Sequence, residues 1–124
     1  MISAAYCSKE LCQLLDSEGI VAHSVRQMEK GGSWYKKYTI DIALRWLREE
    51  YRIAVMPIPY RYPGKWKNIL VYLGEPMEKD DKYDICELDD TYTSYEQAAE
   101  AGIRYVVTHI VAKIRKELAK QDKQ

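Results

Sequence analysis

The feature that most constrains the fold is a long amphipathic stretch near the C-terminus. Between residues 95 and 120, apolar or small residues recur at spacings of three and four, which is typical of the buried face of an α-helix. Ser94 and Gln97 form the S-x-x-Q pattern found at helix N-termini. We therefore predict a helix from Tyr95 to about Lys120 that packs one face on a sheet. The expected buried stripe is Tyr95, Ala98, Ala99, Gly102, Ile103, Val106, Val107, Ile110, Ile114 and Leu118.

Two shorter helices are predicted upstream. Ser8 is a suitable N-cap for a helix over 8–17, and Thr39 for a helix over 39–51, because a side-chain oxygen at this position accepts a hydrogen bond from the first turn. Both segments carry apolar residues at helical spacing. Within the long helix, Gly102 costs about 1 kcal/mol relative to alanine. We therefore expect Gly102 where that helix approaches the sheet closely.

Strands account for much of the remaining chain. Gly31-Gly32 permits the positive φ angles of a tight turn and predicts a hairpin around it. Pro57 and Pro59 lack a backbone donor, so their strand is expected at a sheet edge or to end there. The element order α-ββ-α-βββ-α predicts an α+β fold in which three helices cover one face of an antiparallel sheet of four to five strands. The predicted strands are 22–29, 33–38, 52–58, 66–73 and 83–88.

Length and composition are those of an ordinary globular protein. At 124 residues, the chain is expected to form a single α+β domain, 1–124. Its 19 basic and 19 acidic residues balance, whereas nucleic-acid-binding proteins usually carry a basic excess that contacts phosphates. Tight nucleic-acid binding is therefore not expected. No run approaches the roughly 18 apolar residues that cross a bilayer, so we expect no membrane contact and a cytoplasmic location.

The residues that commonly bind zinc lack the spacing of a zinc site. The cysteines form no matching pair of motifs, and the histidines are far apart in sequence. Three cysteines are also few and odd in number, which favours reduced thiols over a disulfide framework. We predict that these residues bind no metal. They are Cys7, Cys12, Cys86, His23 and His109.

The sequence contains no nucleotide-binding or catalytic motif. Gly31-Gly32-Ser33 lacks the spaced glycines and the lysine of phosphate-binding loops, and G-x-S-x-G does not occur. The acidic segment 75–90 lacks the ligand order of a calcium loop. We therefore expect no cofactor and a non-enzymatic protein, with an enzyme that has no sequence signature as the remaining alternative.

The aromatic composition is the most distinctive feature of the sequence, which contains eleven Tyr, three Trp and no Phe. Tyr and Trp are amphipathic, so many of them should lie at the rim of the core or on the surface. Several alternate with Lys and Arg around two predicted hairpins. Such a cluster can bind a protein partner, bind nucleic acid by stacking and phosphate contact, or simply pack its tryptophans on the sheet while the cations stay solvated. We predict a protein partner, with nucleic acid as the alternative. The candidate patch is Trp34, Tyr35, Lys36, Lys37, Tyr38, Tyr60, Arg61, Tyr62, Lys65, Trp66 and Lys67.

From Thr39 onward, the order helix, three strands, helix matches the double-stranded-RNA-binding module. That module contacts phosphates with a lysine-rich start to its last helix, whereas the corresponding segment here, 94–100, carries two glutamates and no cation. The resemblance therefore implies a shared order of elements and no shared function.

Three segments carry a second resemblance, which extends over nearly the whole chain. They are L-C-Q-L-L at 11–15 before Gly19-Ile20, A-L-R-W-L-R-E at 43–49, and T-S-Y-E-Q-A at 93–98 before Gly102. In these segments the sequence resembles small uncharacterised proteins of Bacteroides-type gut bacteria and their phages or prophages. The resemblance implies a single α+β domain with an accessory role in a mobile-element context, and it implies no mechanism.

Overall fold

The computed structural model of the protein describes residues 5–61, 64–73 and 84–122. The order of elements confirms the predicted α-ββ-α-βββ-α arrangement. The helices are α1 (Lys9–Ser17), α2 (Ile40–Tyr51) and a long C-terminal helix, which comprises α3 (Tyr95–Val106), a π-helical turn (Val107–Val111) and α4 (Ala112–Asp122). The strands are β1 (Val25–Met28), β2 (Trp34–Lys37), β3 (Ile53–Arg61), β4 (Lys65–Tyr72) and β5 (Asp84–Tyr92).

The five strands form two antiparallel sheets rather than one. β1 pairs with β2 in a hairpin, and β3, β4 and β5 form a separate sheet with β4 at its centre. The hairpin packs on α1, while α2 and α3 pack on the three-stranded sheet. The segment before α1 pairs with the segment before α2 through an isolated antiparallel bridge from Tyr6 to Thr39. The prediction that all helices cover one sheet therefore holds for α2 and α3 but not for α1.

The helix boundaries follow the predicted capping residues. Ser8 accepts a hydrogen bond from the Leu11 backbone N–H, and Thr39 accepts one from Ile42. Ser94 accepts one from the backbone N–H of Gln97. The Gln97 side chain bonds back to Thr93 rather than to the cap residue itself, so the reciprocal half of the predicted capping box is displaced by one position.

One hydrophobic core joins the helices to the three-stranded sheet. Val55 of β3 and Leu70 of β4 lie opposite each other in register and are both buried. They belong to the same cluster as Leu47 of α2 and Ile103 of α3. β3 is an edge strand, as predicted from its prolines, and it continues through Pro57 and Pro59 to Arg61.

Gly102 lies where α3 crosses the sheet, which confirms the predicted close approach. A Cβ atom added at this position would lie 2.6 Å from Val55 Cγ1 and 3.0 Å from Asn68 Cγ. Asn68 is buried, and its side-chain Nδ2 donates to the carbonyl oxygen of Ala98 at 2.7 Å. The helix thus comes close enough for a buried amide on β4 to bond directly to its backbone.

The C-terminal helix departs from the predicted regular stripe at the π-helical turn. Val107 and Val111 are buried, whereas Ile110 is only partly buried. The predictions for Ile114 and Leu118 are wrong, since these side chains are 37% and 55% exposed. A π turn contains more residues than an α turn, which moves the buried position from Ile110 to Val111. Beyond it, α4 extends past the sheet into solvent.

The acidic segment predicted at 75–90 is described only in part. Residues 75–83 lie outside the described residues, and the remainder belongs to β5.

The β4–β5 register shifts between Lys67 and Ile69, so that Asn68 faces an irregular stretch of β5. No described helix is both long and apolar enough to cross a membrane.

Candidate functional site

The β1–β2 hairpin forms around the glycine pair, as expected. Gly31 and Gly32 have φ angles of 95° and 91°, a region that L side chains rarely adopt. The Glu29 N–H donates to the Ser33 carbonyl oxygen at 2.9 Å and closes the turn. The resulting register pairs Arg26 with Lys36 and Met28 with Trp34.

This register places four side chains on one outward surface, which we name the hairpin face: Arg26, Met28, Trp34 and Lys36. Cross-strand partners share a face of a sheet, and all four residues are exposed. The Arg26 guanidinium lies 4.0 Å from the centre of the Trp34 ring. Trp34 is nevertheless 46% exposed, and Met28 57%. The hairpin face therefore combines an apolar patch with two cations.

The opposite side of the hairpin holds the remaining predicted residues of this segment and anchors it to α1. Tyr35 is half-buried, with the Lys9 Nζ atom 5.9 Å from its ring centre. Lys9 is ion-paired with Glu29 at 2.8 Å, and this hydrogen bond raises the Lys9 pKa. Lys37 lies over the Tyr6 ring at 4.4 Å. These contacts are structural, and they leave the outward surface free.

Tyr38 is a core residue, so the prediction that it belongs to a surface patch is wrong. It is 1% exposed, and its hydroxyl donates to Asp16 at 3.2 Å. Burial, together with the charge of Asp16, raises the Tyr38 pKa to about 12. The backbone N–H of Tyr38 also donates to the Cys12 sulfur at 3.4 Å, so this residue fixes the end of the hairpin to α1.

Two buried thiols lie beneath the end of the hairpin. A hydrogen bond from Cys7 lowers the pKa of Cys12 to about 7, and the same bond, together with burial, raises the pKa of Cys7. Both cysteines belong to the core cluster. Both thiols are buried, and the Cys12 sulfur links α1 to the end of the hairpin by accepting a hydrogen bond from the Tyr38 backbone N–H.

The second half of the predicted patch lies on the three-stranded sheet and differs in character. Trp66 is half-buried against Tyr95, with ring centres 5.6 Å apart in an edge-to-face arrangement. Lys67 is ion-paired with Glu87 at 2.6 Å, which raises the Lys67 pKa, and it also lies 4.3 Å from the Tyr60 ring centre.

The residues at the edge of this half are more exposed to solvent, but they do not form a continuous surface with the hairpin. Arg61 and Lys65 are exposed, and Arg61 lies 5.5 Å from the Tyr60 ring centre. Tyr62 lies outside the described residues. The two halves belong to different sheets that pack against different helices. The predicted patch is therefore two surfaces, not one.

A groove of 980 Å³ runs between β5 and the C-terminal helix. Its histidine, His109, lies beside Tyr105 with ring centres 4.6 Å apart and ring planes tilted by 45°. Among the described residues, no hydrogen bond joins His109 to Cys86 or to a carboxylate of the groove. The charged lining residues are Glu87, Asp89, Asp90, Glu100, Arg104 and His109.

The candidate metal ligands are scattered over the fold. Cys7 is buried just before α1, Cys12 is buried within it, Cys86 is on β5, His23 precedes β1, and His109 is in the π turn. Within residues 5–61, 64–73 and 84–122, no three His, Cys, Asp or Glu side chains converge in a way that could hold a metal ion.

Arg26 and Met28 were not predicted as members of the candidate patch. A two-residue turn at Gly31-Gly32 would pair Met28 with Tyr35, whereas the loop has three residues, 30–32, and pairs Met28 with Trp34. Comparison of the chain with protein-family models, with curated proteins and with solved structures gave no match.

Proposed function

We propose that the protein is a non-enzymatic binding protein that meets a protein partner through the hairpin face. The observation that carries this proposal is an exposed tryptophan stacked with an arginine, beside an exposed methionine, on a surface that contributes nothing to the core. Trp and Arg are the residues most enriched at the energetic centres of protein interfaces. The resemblance to phage and prophage proteins supports an accessory role in such a context.

The charge around the hairpin face defines the chemistry of the partner. Residues 25–38 contain four basic residues and one acidic residue. That acidic residue, Glu29, is already paired with Lys9. The partner should therefore present acidic side chains around an apolar spot, since complementary charge speeds encounter and favours the correct orientation.

A nucleic acid is a weaker fit to the same surface. Bases bind by stacking on exposed aromatic rings, but one face of the Trp34 ring is covered by Arg26. The hairpin face offers two cations, and affinity for nucleic acid depends on the number of phosphates neutralised. β5, in contrast, carries four acidic residues and no basic one.

The test is affinity capture from a lysate of the encoding organism, followed by mass spectrometry and by analysis of bound nucleic acid. We expect one polypeptide to be captured by the wild type and lost with Trp34→Ala and with Arg26→Glu. Leu118→Lys, which alters an exposed apolar residue on α4, serves as the control and should retain that polypeptide. The captured protein is then purified, and its affinity for each variant is measured directly.

Two results would overturn the proposal. The first is capture of the same polypeptide by Trp34→Ala and Arg26→Glu with undiminished affinity. The second is binding of a labelled single-stranded oligonucleotide at micromolar or lower concentration in physiological salt, abolished by Trp34→Ala. The second result would establish the nucleic-acid alternative in place of the protein partner.

A further inference from the structure

The three-stranded sheet has a second face that α2 and α3 do not cover. Strand residues alternate between faces, so the residues next to the buried positions along each strand point to the opposite side. Met56 lies opposite Ile69 in register, and Val71 lies opposite Ile85. We name this surface the outer sheet face. Its apolar members are Met56, Ile58, Tyr60, Ile69, Val71 and Ile85.

The outer sheet face is apolar without serving the core. None of its six members belongs to the core cluster or packs against it. Ile85 is 68% exposed and Met56 48%. Antiparallel sheets with one solvated face usually place polar residues on it, whereas here apolar side chains lie around the Lys67–Glu87 ion pair. Contiguous apolar patches of this kind mark interaction surfaces.

The charge on this face favours a second copy of the chain as its occupant. Near its centre, Lys67 is ion-paired with Glu87 at 2.6 Å and also interacts with the charge of Asp89, so β5 brings acidic groups to this face. A two-fold interface brings a surface against itself, and a face that carries both signs can pair its own cations with its own carboxylates. Arg61 and Lys65 lie at one end of the face, where β3 meets β4. If the strands of the two copies run antiparallel, these cations lie at opposite ends of the interface.

We propose that two copies of the protein associate through the outer sheet face as a symmetric dimer. The surface lies on the three-stranded sheet and not on the hairpin face, so this proposal is independent of the partner proposed above. The dimer would leave both hairpin faces available and would present them as a pair.

The size of the face sets the expected strength of this dimer. Three strands of about eight residues span roughly 26 Å by 14 Å, which gives about 400 Å² per copy. Two such faces approach about 800 Å², below the 1,200 Å² or so at which standard interfaces begin. We therefore expect a weak dimer, with a Kd of about 1–100 µM, rather than a permanent one.

Sedimentation velocity over about 1–500 µM protein tests the proposal. We expect the wild type to shift from the mass of one chain to the mass of two as concentration rises. Ile85→Lys adds two cations to the symmetric interface and should weaken the dimer at least tenfold. Because Ile85 is on an exposed edge strand, this variant should fold normally, which circular dichroism checks. Met56→Lys, on the other edge strand, provides a second variant.

The matched control is Leu118→Lys, in which the apolar side chain is 55% exposed but lies on α4. This variant should dimerise as the wild type does. A wild type that remains monomeric at 500 µM overturns the proposal and leaves the face to a different occupant. A dimer that persists unchanged in both Ile85→Lys and Met56→Lys overturns it equally, because association then uses another surface.

Discussion

The hairpin and the three-stranded sheet contain the same residue types in opposite environments. Each contains a tryptophan, at least one tyrosine and several cations. On the sheet, Trp66 packs against Tyr95 and Lys67 is ion-paired with Glu87. On the hairpin, Trp34 and Arg26 stack on each other in solvent. Aromatic and basic composition therefore does not distinguish a structural cluster from a binding surface.

The difference arises from what lies next to each strand. β4 is the central strand of its sheet, and a helix packs over one side. β1 and β2 have only each other and α1, and neither of these strands, both fully described, contains a buried residue. An isolated hairpin is marginal in water, so the hairpin depends on its anchors to α1. Its outward side chains are then free to contact a partner.

The largest difference in stability between the two sheets is expected when an apolar side chain in each is shortened to alanine. Leu70→Ala, at a fully buried position, should lower the free energy of unfolding by about 2–5 kcal/mol because it leaves a cavity. Met28→Ala on the hairpin face should change it by less than about 0.5 kcal/mol. Urea denaturation measures both. Similar losses in the two variants would show that the hairpin carries far more of the core than its exposure indicates.

Replacing the two tryptophans tests the comparison directly. Trp66→Ala should cost roughly 1–3 kcal/mol of stability, because the side chain is half-buried and loses its contact with Tyr95. Trp34→Ala should cost less than about 1 kcal/mol, the value of an exposed cation–π contact. Affinity for the captured partner should show the reverse order. If Trp34→Ala proves the more destabilising, the hairpin face is structural.

Gly102 tests how tightly the sheet side is packed. Alanine here gains about 1 kcal/mol of helix propensity, but its Cβ would lie 2.6 Å from Val55 Cγ1. Overpacking costs about 1–3 kcal/mol, so we expect Gly102→Ala to be destabilised by about 1 kcal/mol in urea. A clear gain in stability would mean that the site is roomier than the structure indicates.

The smallest effect concerns the anchor of the hairpin, Tyr38. Its pKa is raised to about 12 from an ordinary value of 10.0, so its contribution to stability is complete below pH 10 and is lost as the pH rises toward 12. Tyr38→Phe should therefore reduce the loss of stability between pH 10 and 12. At neutral pH it should cost about 0.5–1.5 kcal/mol through the lost bond to Asp16.

Urea titrations at several pH values measure both effects of Tyr38→Phe. Tyr60→Phe, which changes a tyrosine that is 43% exposed on the other sheet, is the control and should retain the pH dependence of the wild type. An unchanged pH dependence in Tyr38→Phe would show that this hydroxyl is not buried as described.

The order of elements could be predicted from sequence because its signals are local. Caps at Ser8, Thr39 and Ser94, the glycine turn and the prolines of β3 each act within a few residues. The division into two sheets could not be predicted, since it depends on contacts between distant segments. For the same reason, sequence did not distinguish Tyr38, which is buried by α1, from Trp34, which is not.

The candidate surface was predictable in residue type but not in extent. Trp34 and Lys36 were predicted, whereas Arg26 was not, because its place opposite Lys36 depends on the length of the hairpin loop. The π turn was also missed, because the apolar spacing through Val107 and Ile110 fits a regular helix. Nothing in that local pattern indicates that Val111 takes the buried position.

The π turn also determines how α4 is rotated about the helix axis. A turn with one extra residue rotates the following helix by about 100° relative to an uninterrupted one. In that orientation Arg115 reaches α1, where its Nη1 donates to the Ser17 carbonyl oxygen at 3.0 Å and to Glu18 at 3.2 Å. Deleting a single residue from the turn would rotate Arg115 away from α1 and remove these contacts between the last helix and the first. The helical register at the π turn therefore determines whether the two ends of the chain remain in contact.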